Sequence, residues 1–271
     1  MNGDASVVSI KGLSKVFGKG GVSALQGIDL DVERGEFVSL IGPSGCGKST
    51  LLRIIGDIID PTDGEVTVNG KPARRARLDR DYGIVFQAPV LYDWRTVVKN
   101  IALPLEMLGW DRAKRAARVR EMVELVELSG FEKHHPWQLS GGMQQRVSIA
   151  RALSFSPALL LMDEPFGALD EMTRERLNLE LLRIWTETGS TVIFVTHSIS
   201  EAVFLSDRVA VFSARPGRVV EVLDIDLPRP RQLSIRETPE FGRYASEIRG
   251  VFSSLGILRE EPVPDAAAGA A

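Results

Sequence analysis

Gly42-Pro43-Ser44-Gly45-Cys46-Gly47-Lys48-Ser49-Thr50 has the residue types and spacing to hold a chain of phosphates. It fits G-x-x-x-x-G-K-[ST], with an apolar strand before it and a helix after it. Glycines let backbone N–H groups wrap phosphate oxygens. Lys48 supplies a point charge for the outer phosphates, Ser49 offers a hydroxyl to Mg²⁺, and Cys46 reads as a small filler of the loop. A second chemical segment is Leu159-Leu160-Leu161-Met162-Asp163-Glu164, a buried strand ending in two carboxylates. Asp163 is placed to hold the cation, and Glu164 to polarise an attacking water as general base. The third is Leu139-Ser140-Gly141-Gly142-Met143. Ser140 can cap a helix through its hydroxyl. Gly141 and Gly142 leave the backbone open to approach, and free N–H groups at a helix start favour a phosphate.

These groups need elements to position them. Residues 7–16 and 22–32 read as strands, and 36–41 as a short apolar strand entering the phosphate loop. A helix is expected over 51–59. A turn at 60–64, a strand at 65–68 and a tight turn at Asn69-Gly70 follow. Residues 82–86 form the next strand. From 96 to 153 the pattern is helical and charged, broken near Gly109 and Gly130. Met143, Val147, Ala150 and Leu153 recur at helical spacing and face a core. Strands return at 158–162, 191–195, 208–212 and 219–225, with helices between the first three. The pattern is an α/β core with an N-terminal antiparallel β region and a helical insert. PRPRQ, after Leu227, reads as a linker. Thr238-Pro239 then opens a helix whose Phe241, Tyr244, Ala245, Ile248, Val251, Phe252 and Leu255 share one face. The tail, 261–271, is expected to be disordered.

With 271 residues the chain can form one large domain or two intimate subdomains. Hydrophobic content of 44% with 25% charged residues describes a soluble globular protein. A net charge of −3 gives no polyanion preference, so nucleic acid is not an expected partner. One cysteine forms no internal disulfide and fits a reducing compartment. The start, MNGDASVVSIKGL, lacks a basic segment followed by a long apolar run, and the apolar stretches are too short to span a bilayer. Membrane work would need another chain.

Taken together, LSGGM, the phosphate loop and the strand ending in Asp163-Glu164 resemble the motifs of ATP-binding-cassette (ABC) ATPases. The resemblance covers about residues 5–225, and the motifs stand in the family's order. It implies a P-loop NTPase fold of the RecA-like type, with a core at 5–87 and 156–227, a helical subdomain at 88–155, and a linker and helix at 228–260. It implies ATP and Mg²⁺, held by residues 42–50 with Ser49, Gln87 and Asp163 at the metal. Gln87 matches the family's Q-loop glutamine, a sensor of the γ-phosphate and metal. Glu164 matches the catalytic base, and His197 the switch histidine at the γ-phosphate. Phe17 resembles the aromatic that stacks on adenine. Gly167-Ala168-Leu169-Asp170 resembles the D-loop, which contacts the opposite subunit. Ser140, Gly141 and Gly142 match the signature motif, which reaches ATP held by a second copy of the domain. Met143 stands where the family often has glutamine and is given no nucleotide role.

Residues 87–107 resemble the importer subgroup for nitrate, sulfonates and taurine, through Leu91, Trp94, Thr96-Val97, Asn100 and Leu103-Pro104-Leu105. Asp93 stands where that subgroup commonly has proline. The resemblance implies a permease partner docking near Leu91 and Trp94, indirectly an extracytoplasmic solute-binding protein, and a peripheral place on the cytoplasmic face of the membrane. Rival readings are a soluble non-transport cassette protein and a cassette serving a membrane protein for a task other than import. His134-His135 reads as loop rather than metal site, since adjacent residues point apart. The basic run Arg74, Arg75, Arg77 and Arg80 reads as a solvated loop.

Overall fold

The computed structural model describes residues 6–18 and 21–258, so the 261–271 tail lies outside the described residues. The chain opens with β1 (Ser6–Phe17), β2 (Val22–Glu33) and β3 (Phe37–Ile41), then α1 (Lys48–Ile55), β4 (Asp63–Val68), β5 (Lys71–Pro72), α2 (Ala73–Asp79) and β6 (Tyr82–Val85). Next come the helices α3 (Val97–Met107), α4 (Arg112–Leu125) and α5 (Gly141–Leu153). The second half holds β7 (Leu159–Asp163), α6 (Glu171–Thr188), β8 (Thr191–Thr196), α7 (Ile199–Leu205), β9 (Arg208–Phe212), β10 (Val219–Asp224) and α8 (Pro239–Ser254).

Two sheets form. One is antiparallel, in the order β2-β1-β4-β5. The other runs β10-β9-β3-β8-β7-β6, parallel throughout except for β10. β3, β7 and β8 are buried at every position, as expected of parallel strands covered on both faces. One core, with Leu13, Ile28, Leu51 and Ile193, fills the space between the sheets and α1. The other, with Phe37, Val147, Phe166, Phe194 and Ile248, lies under the remaining helices.

Three sequence readings change. The first helix starts at Lys48, inside the phosphate loop, and ends at Ile55 before Gly56. The basic run is a helix, α2, rather than a loop: Arg75 pairs with Asp79 one turn on, and Arg77 with Asp57 at 2.7 Å. Residues 228–232 are a strap rather than a free linker. Arg229 lies 4.2 Å over the Trp185 ring and pairs with Asp207. Arg231 is 5% exposed and donates to the carbonyls of Val203, Phe204, Ser206, Ile225 and Leu227. A 3-10 segment, Leu233–Glu237, leads from the strap to α8, which is capped by Thr238 and has Phe241, Tyr244, Ala245, Ile248 and Phe252 buried. Leu255 lies past the helix end and is exposed.

Candidate nucleotide site

In open α/β sheets the ligand crevice lies at the carboxyl ends of the strands. The register here brings four such ends together. Ile41 pairs with Thr196, Val195 with Asp163, and Met162 with Val85. The residues that follow each strand are therefore neighbours: the phosphate loop after β3, His197 after β8, Glu164 after β7, and Gln87 after β6.

The loop's shape requires its glycines. Gly47 has φ of 109°, and a Cβ there would lie 2.7 Å from Leu25 Cδ2 and 2.8 Å from the Ala24 carbonyl. A Cβ on Gly42 would lie 2.8 Å from Phe212 Cβ. Lys48 is buried, with Nζ donating to the carbonyls of Gly42 at 2.7 Å and Pro43 at 3.1 Å. An ammonium held by two neutral carbonyls is a cation ready to exchange them for an anion. Cys46 is buried, while Ser44 and Gly45 are exposed. Beside the loop lies a pocket of about 230 Å³ lined by Phe17, Val22, Ala24, Gly45, Gly47, Lys48, Ser49, Thr50, Glu164 and Arg215. Spacing along the chain reveals neither Val22 and Ala24 nor Arg215.

Ser49 Oγ donates to Asp163 Oδ1 at 2.6 Å. Two hard oxygens side by side, next to a phosphate loop, suit Mg²⁺. Among the described residues, no group of three or more His, Cys, Asp and Glu side chains could hold a metal ion. Glu164 has φ of 45°, a conformation that costs a non-glycine residue energy and clusters at functional sites. Its N–H donates to the Val195 carbonyl at 3.0 Å, and its Oε2 lies 3.4 Å from His197 Nδ1. A Cβ on Gly167 would lie 3.1 Å from Gln87 Nε2 and 3.6 Å from Glu164 Oε2, so Gln87 and Glu164 bracket that glycine.

The glycine-rich helix start lies elsewhere. Ser140 Oγ accepts from the Met143 N–H at 3.3 Å and caps α5. A Cβ on Gly141 would meet Leu169 Cδ2 at 3.4 Å, and one on Gly142 would meet Thr173 Cγ2 at 3.1 Å. Ser140, Gly141 and Gly142 are absent from the lining of the pocket. Asp170 is exposed and caps α6 through Thr173 N–H at 3.0 Å; the backbone N–H groups around it hold its carboxyl below the usual range. The segment after Gln87 is pinned from behind. Arg151 donates to the carbonyls of Pro89 and Val90, and Asn100 bonds the backbone of Tyr92, Arg95 and Thr96. Leu91 packs on the core, but Trp94 is 72% exposed. His135 bonds the Asp93 carbonyl and stacks on Trp137.

A phosphate loop on a parallel strand, acids at the end of a neighbouring strand and a base–histidine pair beside them define a P-loop ATPase. The chain belongs to the ABC transporter family, which matches residues 25–167. It is 48% identical to an uncharacterized ABC transporter ATP-binding protein of Methanocaldococcus jannaschii, over 94% of this chain and 92% of that one. It is 47% identical to an aliphatic sulfonates import ATP-binding protein of Bacillus cereus (93% and 98% covered). Identity to a taurine import ATP-binding protein of Rhizobium johnstonii is 45% (88% and 92% covered). A solved ATP-binding cassette, dimeric and bound to ADP and Pi, is 35% identical with a TM-score of 0.71, covering 82% of this chain and 100% of that one. The protein is thus an ABC ATPase, a nucleotide-binding enzyme of a family of dimeric cassettes. No described helix is long and apolar enough to cross a membrane.

Proposed function

We propose that the protein is the ATP-hydrolysing subunit of an importer for a small sulfonate- or taurine-like solute. The observation that carries this reading is the near full-length likeness to relatives named as aliphatic sulfonate and taurine import subunits. In this reading the subunit sits peripherally on the cytoplasmic face of the membrane. Its partners are a second copy, a permease and, indirectly, a solute-binding protein. The permease docks on the 88–155 helical segment, near the exposed Trp94.

Site roles follow from the chemistry of each group. Residues 42–50 bind the phosphates, with Lys48 exchanging its carbonyl partners for phosphate oxygens. Phe17, 45% exposed at the pocket edge, stacks on the base. Ser49, Asp163 and Gln87 would hold Mg²⁺, which when bound neutralises phosphate charge. Glu164 takes the proton of the attacking water, and His197 orients Glu164 and reads the outermost phosphate. Ser140, Gly141 and Gly142, which do not line their own pocket, cap the phosphates of the second copy, and Asp170 lies at that same junction.

Glu164→Gln tests the central assignment, because it keeps the shape and removes the base. Hydrolysis by the full chain should fall by about 10²- to 10⁴-fold while ATP binding persists. Hydrolysis at the wild-type rate would remove Glu164 from the role.

A further inference from the structure

Arg215 lines the nucleotide pocket and has no part in the reading above. It sits on the turn between β9 and β10, residues 213–218. Its Nε and Nη2 both donate to the Gly45 carbonyl, at 3.2 and 3.0 Å. Gly45 has φ of 74°, a region in which glycine is free to move and other residues are not. No side chain of its own restrains this peptide, and the guanidinium holds its carbonyl toward the turn.

The turn that carries Arg215 is anchored independently. Gly217 N–H donates to the Ala24 carbonyl at 2.9 Å, and Gln26 N–H to the Gly217 carbonyl at 3.0 Å. Arg218 bonds Gln26 Oε1 at 2.6 Å. A Cβ on Gly217 would lie 2.0 Å from the Cys46 carbonyl oxygen, so turn and phosphate loop touch through their backbones. The turn therefore joins β2, the wall beside Phe17, to the loop that receives phosphate.

We propose that Arg215 is a positioning residue for the nucleotide: it holds the Gly45 peptide in place so that the phosphate loop keeps its receiving shape before nucleotide arrives. The inference rests on the nucleotide reading of this pocket. Arg215 and Gly45 are both exposed, so the restraint comes from two donors converging on one carbonyl from a turn that is itself anchored, not from burial. A preformed loop lowers the cost of ordering on binding. The effect falls on affinity for any nucleotide that fills the loop, ADP as well as ATP.

The test compares the full-length wild-type chain with Arg215→Ala and Arg215→Lys. Steady-state ATP hydrolysis, ADP titration and labelling of Cys46, the only cysteine, are measured. Losing a charge-assisted bond should raise KM for ATP and Kd for ADP about tenfold, with a smaller effect on kcat. Arg215→Lys, with a single-point donor, should fall between. Cys46, buried in the native loop, should label faster in Arg215→Ala without nucleotide. Unchanged ATP and ADP affinity in folded Arg215→Ala, or a loss confined to kcat, overturns the proposal. A wild-type chain that binds ADP but hydrolyses no ATP would reject the ATPase reading instead, and ADP titration would still decide the role of Arg215.

Discussion

Replacing Arg231 with methionine tests whether the strap after β10 stabilises the switch side of the site. The guanidinium makes five hydrogen bonds to carbonyls, three of them at the end of α7. At the low end for charged donors these contribute on the order of 7 kcal/mol. Opposing them, burial and the neighbouring Arg229 push the Arg231 pKa down to about 10, a charge-burial cost of about 3 kcal/mol. Methionine regains roughly 1 kcal/mol of apolar burial. The hydrogen bonds win, and the variant should lose about 3 kcal/mol. For a chain of this size that lowers the thermal midpoint by about 9 °C. Amide exchange should accelerate across Ile199–Leu205, the helix that follows His197. A midpoint within about 2 °C of wild type and unchanged exchange in α7 would refute the argument.

Glu180, buried against Arg146 at 2.8 Å and facing Glu127, Arg183 and Arg176, is pushed by burial from the ordinary 4.5 up to about 7. A carboxyl with a raised folded pKa contributes stability that is present below its unfolded pKa and lost as pH rises through the folded one. Glu180→Gln should therefore flatten the decline in urea midpoint between about pH 5 and pH 7; an identical decline in both proteins would exclude Glu180 as its source. Trp94→Ala should weaken co-purification with the membrane partner and leave hydrolysis by the isolated chain within about twofold, because an exposed aromatic anchors a contact rather than a core. Cys46 should react slowly with thiol reagents and more slowly still with ATP present. Fast labelling indifferent to ATP would contradict its burial in the loop.

Chemistry concentrated in contiguous residues was legible from the sequence. The phosphate loop, the strand ending at Asp163 and the capped start at Ser140 carry their own geometry, because each needs only a strand or helix end and glycine. Groups that work by long-range backbone contact were hidden. Arg215 reaches Gly45 across 170 positions, and Arg231 finds its partners among main-chain carbonyls, which leave no mark on residue type. The helix at Ala73–Asp79 was hidden for a related reason: its arginines are solvated as the run suggests, but Arg75 and Arg77 are tied to Asp79 and Asp57 by pairings the run does not announce.

Ser140, Gly141 and Gly142 do not line the pocket of their own chain; the two glycines face Leu169 and Thr173 instead. In the proposed pair this makes inheritance of damage a matter of counting. Each complete site draws its base from one chain and its capping glycines from the other. Combine a chain defective at Glu164 with one defective at Ser140. One of the two sites then receives both defects, and the other receives none. The mixed pair keeps a sound site that neither parental pair possesses, so two dead proteins together make one working half.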